Sequence, residues 1–160
     1  MNNQDAKTQS GLQLRTLGRG EKQNGTMNRI IIPPEIEKLA TLAVDSAFAV
    51  HSELGPGLLE SAYQACFTHE LELRGIGCQK ELPVPLSYKG KRIEVGFRAD
   101  VVMEQKLLIE LKAVEQVLPI HKAQVITYLK LMKFPLGLLI NFNEVLIKDG
   151  IQRVLNLNKT

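Results

Sequence analysis

The apolar and polar positions divide this chain into a polar N-terminal stretch and one structured segment. Residues 1–28 are rich in Asn, Gln, Gly, Ser and Thr and show no periodicity, so they read as disordered. Met27 precedes a more structured sequence and is a candidate natural start, and the stretch before it is set aside from fold reasoning. Pro33-Pro34-Glu35 suits the first turn of a helix, and Leu39, Leu42, Ala43, Ala47 and Val50 recur at helical spacing to about Leu54. Gly55-Pro56-Gly57 interrupts the pattern. A second helix is predicted over 58–74, with Leu59, Ala62, Cys66, Phe67 and Leu71 near one face and Gly75 and Gly77 ending it. Strands are predicted over 78–87, 92–102 and 107–113, with Lys89-Gly90 as a turn. Pro83 and Pro85 mark the first strand as an edge or irregular segment. A helix follows over 121–132, stopped before Pro135, and the continuous apolar run 136–140 reads as a buried strand. Residues 145–147 and 151–155, joined by Lys148-Asp149-Gly150, read as a terminal hairpin. The order is α-α-β-β-β-α-β plus a hairpin, which makes residues 29–160 a single α/β domain.

Composition narrows the function classes. Hydrophobic residues make up 44% and charged residues 23%, an ordinary globular balance. No run of about 18 apolar residues exists, so no membrane span is expected. Cys66 and Cys78 are the only cysteines, so a disulfide framework is not expected and a reducing cytoplasm is the default compartment. The formal net charge is +3, and residues 1–26 alone carry a surplus of two, with four basic and two acidic groups. The remainder holds sixteen basic and fifteen acidic groups, so bulk charge does not argue for nucleic acid. A phosphate-binding patch must then be local. Lys89, Lys91, Arg92 and Arg98 form the densest candidate, and a solvated strand face explains them equally well.

The candidate chemistry lies in residues 100–112. Asp100 is followed ten positions later by Glu110-Leu111-Lys112 within two adjacent strand-like runs. Strand side chains alternate, so Glu110 and Lys112 share a face and Leu111 points the other way. A turn near Glu104-Gln105-Lys106 brings Asp100 back beside them. Two carboxylates and an ammonium on one face can hold a divalent metal and position a water, the minimum for metal-assisted phosphodiester hydrolysis. Such charges also arise on half-exposed strands, and a structural Glu110–Lys112 ion pair is the competing reading. The flanking runs Val101-Val102-Met103 and Leu107-Leu108-Ile109 are those of buried strands, where a Glu and a Lys need partners or a task.

The pattern Asp100…Glu110-Leu111-Lys112, with its element order, resembles the signature and core of the PD-(D/E)XK nuclease superfamily, which implies a restriction-endonuclease-like α-β-β-β-α-β core with a mixed sheet flanked by helices. Gln124 and Tyr128, at i and i+4 on the next helix, resemble the Gln-x-x-x-Tyr motif of its RecB-type exonucleases. The segment from His51 through Gly57-Leu58-Leu59-Glu60-Ser61-Ala62-Tyr63 resembles the GxxExxY protein family, assigned to the same superfamily. That resemblance continues through Tyr88-Lys89-Gly90, Arg98-Ala99-Asp100, Glu110-Leu111-Lys112-Ala113, the run Pro119 to Gln124, Tyr128-Leu129-Lys130 and Gly137 to Phe142, covering about residues 36–157. No departure falls at the site.

The resemblance implies a metal-dependent nuclease acting on DNA ahead of RNA. Asp100 and Glu110 would ligate Mg²⁺ or Mn²⁺, with the Leu111 carbonyl as an added ligand and Glu60 as a helical acid bound directly or through water. Lys112 would orient or help deprotonate the water and stabilise developing charge, while Gln124 and Tyr128 would position the phosphate or Lys112. A competing class is an inactive nuclease-fold module that binds nucleic acid or a protein partner. It is motivated by the near-neutral core and the small size, for which a homodimer or partner could supply the missing grip. His51 and His121 also match family positions: His51 suits a capping or core role and His121 a helix-start or phosphate contact. A flavin or nucleotide site has little support, because Pro56 removes an amide donor between the two glycines and no Walker or dinucleotide pattern is present.

Overall fold

A computed structural model describes residues 30–94 and 97–157, so the reading of 1–28 as disordered and of Met27 as a start falls outside the described residues. Helix α1 spans Pro34–Leu54 and α2 spans Glu60–Leu73. Strands β1 (Cys78–Pro83), β4 (Arg98–Met103), β5 (Leu107–Lys112), β6 (Leu136–Asn141) and β7 (Ile151–Leu155) form one sheet in the order β1-β4-β5-β6-β7. Strands β2 (Leu86–Tyr88) and β3 (Lys91–Ile93) pair separately as a small hairpin inserted between β1 and β4. Helix α3 (Pro119–Met132) connects β5 to β6, which pair in parallel and need such a crossover.

The sheet is covered on both faces, which explains its apolar central strands. In β5, Leu107, Ile109 and Leu111 join a core with Ile36, Ala40, Ala43 and Ala47 of α1 and Tyr63, Phe67 and Leu71 of α2. Leu108 faces the other way, into a core with Val102, Leu139, Val154 and Val125, Tyr128 and Leu129 of α3. The alanine stripe of α1 lets that helix lie close, and α1 ends at Gly55, whose φ of 66° suits glycine.

Three expectations need correction. The predicted first strand is two, because Pro85 removes a ladder donor after β1 and the chain turns out into β2. The predicted second strand is likewise split into β3 and β4, the first belonging to the hairpin and the second to the sheet. The terminal hairpin does not form: Ile147–Gly150 is a single helical turn, α4, and β7 pairs with β6. Gly150 marks the reason, since a side chain there would collide with the Asn141 carbonyl at the end of β6. That close approach carries the chain from the turn directly onto the sheet edge.

The loop before α2 is fixed by one side chain. Tyr63 is fully buried, stacks on Phe142 at 4.6 Å, donates to the Gly55 carbonyl at 2.6 Å and accepts the Leu58 amide at 3.1 Å. It thereby holds the Gly55-Pro56-Gly57 turn, where Gly57 has a φ of 101°, against the first turn of α2.

Two substitutions test these contacts by denaturant unfolding. Gly150→Ala must displace backbone and is expected to cost about 1–3 kcal/mol, the usual range for overpacking. Tyr63→Phe removes only the hydroxyl, stranding two backbone groups, and is expected to cost a similar ~1–3 kcal/mol. A neutral result for either would remove the role given to that contact.

Candidate active site

The antiparallel register of β4 and β5 pairs Val101 with Ile109, so Asp100 lies one step further along, beside Glu110. One oxygen of Asp100, Oδ2, accepts the Leu111 amide at 2.8 Å. This bond fixes the carboxylate against the strand and leaves Oδ1 available. Glu110 is only 1% exposed; its Oε1 accepts from Lys112 Nζ at 2.7 Å, and its Oε2 is buried with no hydrogen-bond partner among the described residues. Lys112 Nζ also donates to the Leu111 carbonyl at 3.0 Å and lies 4.0 Å from Asp100 Oδ2. The alternation read from the sequence therefore holds: Leu111 packs with α1 and α2, while Glu110 and Lys112 converge with Asp100.

The electrostatics follow from burial. Glu110 is pushed up to about 7, first by loss of solvent and then by the charge of Asp100, against the pull of Lys112. Asp100 is raised by burial, partly offset by the Leu111 amide and Lys112, with Glu60 and Glu81 adding repulsion. For Lys112 burial is the largest single influence and works downward. The bond and charge of Glu110, with Asp100 and Glu60, outweigh it and raise the pKa. Lys112 is therefore an ammonium at neutral pH and the local countercharge for both acids.

The other candidate residues are placed differently. Glu60 is the first residue of α2 and is exposed, yet its charge acts on Asp100, Glu110 and Lys112. Among the described residues no three His, Cys, Asp or Glu side chains stand together as a metal-binding group, so Glu60 does not close a cage with Asp100 and Glu110. Gln124 Nε2 donates to Tyr128 Oη at 2.9 Å, and the Tyr128 ring meets Phe97 edge-on at 5.8 Å. Among the described residues neither Gln124 nor Tyr128 bonds to Asp100, Glu110 or Lys112. His121 Nδ1 accepts the Leu118 amide at 3.1 Å, a helix-start role, and buried His51 bonds the Glu144 carbonyl at 2.8 Å, a core role. Cys66 and Cys78 are free thiols, and burial pushes Cys78 up, away from a reactive thiolate.

Two residues at the site were not singled out from sequence. Gln64, one turn after Glu60 on α2, donates to the Asp100 carbonyl at 3.0 Å and ties that helix to β4. Asn141, fully buried and paired in register with Lys112, clasps both backbone groups of Val114 at 2.9 and 3.0 Å and fixes the chain just past the lysine. The i+4 spacing from Glu60 and an Asn closing the apolar run 136–140 were the available signals.

The donor set suits a divalent cation. Two carboxylates and the Leu111 carbonyl are all oxygen donors, as hard cations require. Among the described residues no donor reaches Glu110 Oε2 or Asp100 Oδ1, so the residues fit such an ion.

Against known proteins, no curated protein and no solved structure matches the chain. The sequence model of the PD-(D/E)XK nuclease superfamily matches residues 37–154, a span that includes α2, both acids, the lysine and most of the closing strand β7. With a mixed five-stranded sheet between helices and the acid-acid-lysine cluster at the β4–β5 junction, the chain belongs to the PD-(D/E)XK nuclease superfamily.

Proposed function

We propose that this protein is a divalent-metal-dependent nuclease that hydrolyses phosphodiester bonds, in DNA ahead of RNA. We place it in the GxxExxY branch, on the Gly57-x-x-Glu60-x-x-Tyr63 spacing, with Gln124 and Tyr128 as a RecB-type pair. The observation that carries the reading is the convergence of Asp100, Glu110 and Lys112, with one buried carboxylate oxygen left unbonded. Most buried carboxylate oxygens have a hydrogen-bond partner in protein or water, so an oxygen without a protein donor is open to an ion or a water.

Asp100, Glu110 and the Leu111 carbonyl would hold Mg²⁺ or Mn²⁺, with Glu60 within electrostatic reach. When bound, the ion would supply Lewis-acid polarisation of the phosphate and a lowered pKa for the attacking water. Lys112, held as an ammonium, orients the water and stabilises charge on the phosphoryl oxygens rather than acting as the base. Gln64 holds α2, and so Glu60, against β4. Gln124 and Tyr128 form a bonded pair on α3 suited to contacting the substrate phosphate rather than Lys112.

One observation favours an inactive binding module: Lys112 already neutralises Glu110 at 2.7 Å, as a purely structural pair would. Metal binding separates the two readings. Calorimetry with Mn²⁺ on the full chain is expected to show binding that disappears in Asp100→Ala/Glu110→Ala. Lys112→Ala is expected to keep Mn²⁺ binding and lose roughly 10²–10³ in cleavage rate, the scale of one electrostatic stabiliser. Absence of Mn²⁺ binding with an oligonucleotide present, together with no cleavage of DNA or RNA, would replace the nuclease with the binding module.

The Glu110 pKa of about 7 sets two opposite pH dependences. The ion needs the carboxylate, so binding below that value releases a proton, and Mn²⁺ affinity is expected to rise with pH up to about 7 and then flatten. Without divalent metal the folded chain holds the Glu110 proton more tightly than the unfolded chain. Its contribution to stability is therefore lost as pH rises from the ordinary glutamate value of 4.5 through about 7. Thermal melts in chelator are expected to show this decline in wild type and a flatter profile in Glu110→Gln. Identical profiles would remove Glu110 as the titrating group.

A further inference from the structure

The hairpin inserted between β1 and β4 has no part in the main sheet and no task in the chemistry above. We infer that this β2–β3 arm is a nucleic-acid grip, holding the substrate strand with Tyr88, Lys89 and Lys91 away from the scissile bond. The inference rests on the nuclease reading for its choice of partner.

The arm is rooted next to the catalytic cluster. Leu82 pairs with Ala99 and Pro83 with Arg98, and the Val84 amide donates to the Phe97 carbonyl at 2.8 Å. Asp100 follows two residues after Arg98, and the Phe97 ring lies against Tyr128. Beyond that root, among the described residues, β2 and β3 pair with each other alone, from Leu86–Ile93 out to Tyr88–Lys91. At about 3.3 Å per residue the tip extends up to roughly 15–20 Å from the root. That reach corresponds to about five base-pair steps of ~3.4 Å along a duplex.

The tip carries the chemistry for nucleic acid. Tyr88 is 61% exposed, its ring outside both hydrophobic clusters of the described residues, and Lys89 Nζ lies 5.4 Å from its centroid. Lys89 and Lys91 have no acidic partner among the described residues, whereas Arg92 is bonded to Glu94 and Arg98 to Glu81. Two unneutralised ammonium groups beside an exposed ring match a phosphate backbone and a base face. The turn adds an independent argument. Lys89 and Gly90 both have positive φ, 46° and 79°, the two-residue hairpin turn in which Asn, Asp or Gly is the unstrained choice at the first position. A lysine there costs backbone strain that the turn itself does not require, so its charge is the property being placed.

The test uses the full chain in Mn²⁺ with a fluorescein-labelled 30-nucleotide strand and the corresponding duplex. Binding is read by anisotropy in the Lys112→Ala background, and cleavage is read in parallel with Lys112 intact. Lys89→Ala/Lys91→Ala is expected to weaken binding about tenfold and to lower the salt slope of the duplex by about two, one for each ammonium withdrawn from a phosphate. Tyr88→Ala is expected to weaken single-strand binding about fivefold or more. Lys89→Arg/Lys91→Arg is expected to restore the salt slope, and unchanged melting temperatures would show that the arm variants fold. Unchanged affinity and salt slope in the Lys→Ala variant, with cleavage intact, would overturn the arm and leave the nuclease standing. Arm-dependent binding without cleavage would do the reverse. Arm-dependent binding of polyglutamate but of neither oligonucleotide would reassign the arm to an acidic protein and overturn the inference.

Discussion

Holding a carboxylate at Glu110 inside the sheet is the constraint around which this structure is arranged. A buried charge is costly unless it is paired, and removing one partner of such a pair costs more than the pair contributes. Lys112 is the answer two residues along the same strand, where alternation brings it to the same face. Asp100 then enters from β4, hydrogen-bonded to the β5 backbone and paired with Lys112 at 4.0 Å. The cluster is thus supported by the sheet itself. Its rigidity is that of strands buried on both faces, and its charges are left to interact in a medium that screens them poorly.

The helices serve this arrangement by different means. Tyr63 anchors the turn before α2 through its hydroxyl and the body of α2 through its ring. Gln64 reaches across to β4, so the end of α2 carrying Glu60 has two independent attachments. Helix α3 is obliged by the parallel β5–β6 pair to cross over the sheet face to which Glu110 and Lys112 point, and this carries Gln124 and Tyr128 to that side. Asn141 fixes the backbone that leaves the lysine.

Much of this was legible because it depends on periods. The apolar stripe of α1 and the buried alternation of β5 are repeats in the sequence, and both elements lie close to where the pattern placed them. What escaped was contingent on tertiary contact. Residues 145–147 have the β-branched and apolar content of a strand, yet the approach of Gly150 to Asn141 makes the following residues a helical turn. Residues 92–102 read as one strand because local pattern carries no record of which sheet each half joins. In the site, the acids and the lysine were visible through strand alternation. Gln64 and Asn141 were not, because amide side chains that bond backbone leave no pattern of their own.

The bond from the Leu111 amide to Asp100 has a consequence for folding as well as for chemistry. Because side-chain direction on a strand has a period of two, a slip of one residue between β4 and β5 would turn Asp100 out of the cluster and place its neighbours there instead. Such a chain could keep its helices and much of its sheet while being chemically silent. The cluster is in effect a register gauge. Under the nuclease reading proposed above, specific activity would count the molecules whose central strands have paired correctly, a quantity that bulk measures of helix and sheet content do not resolve.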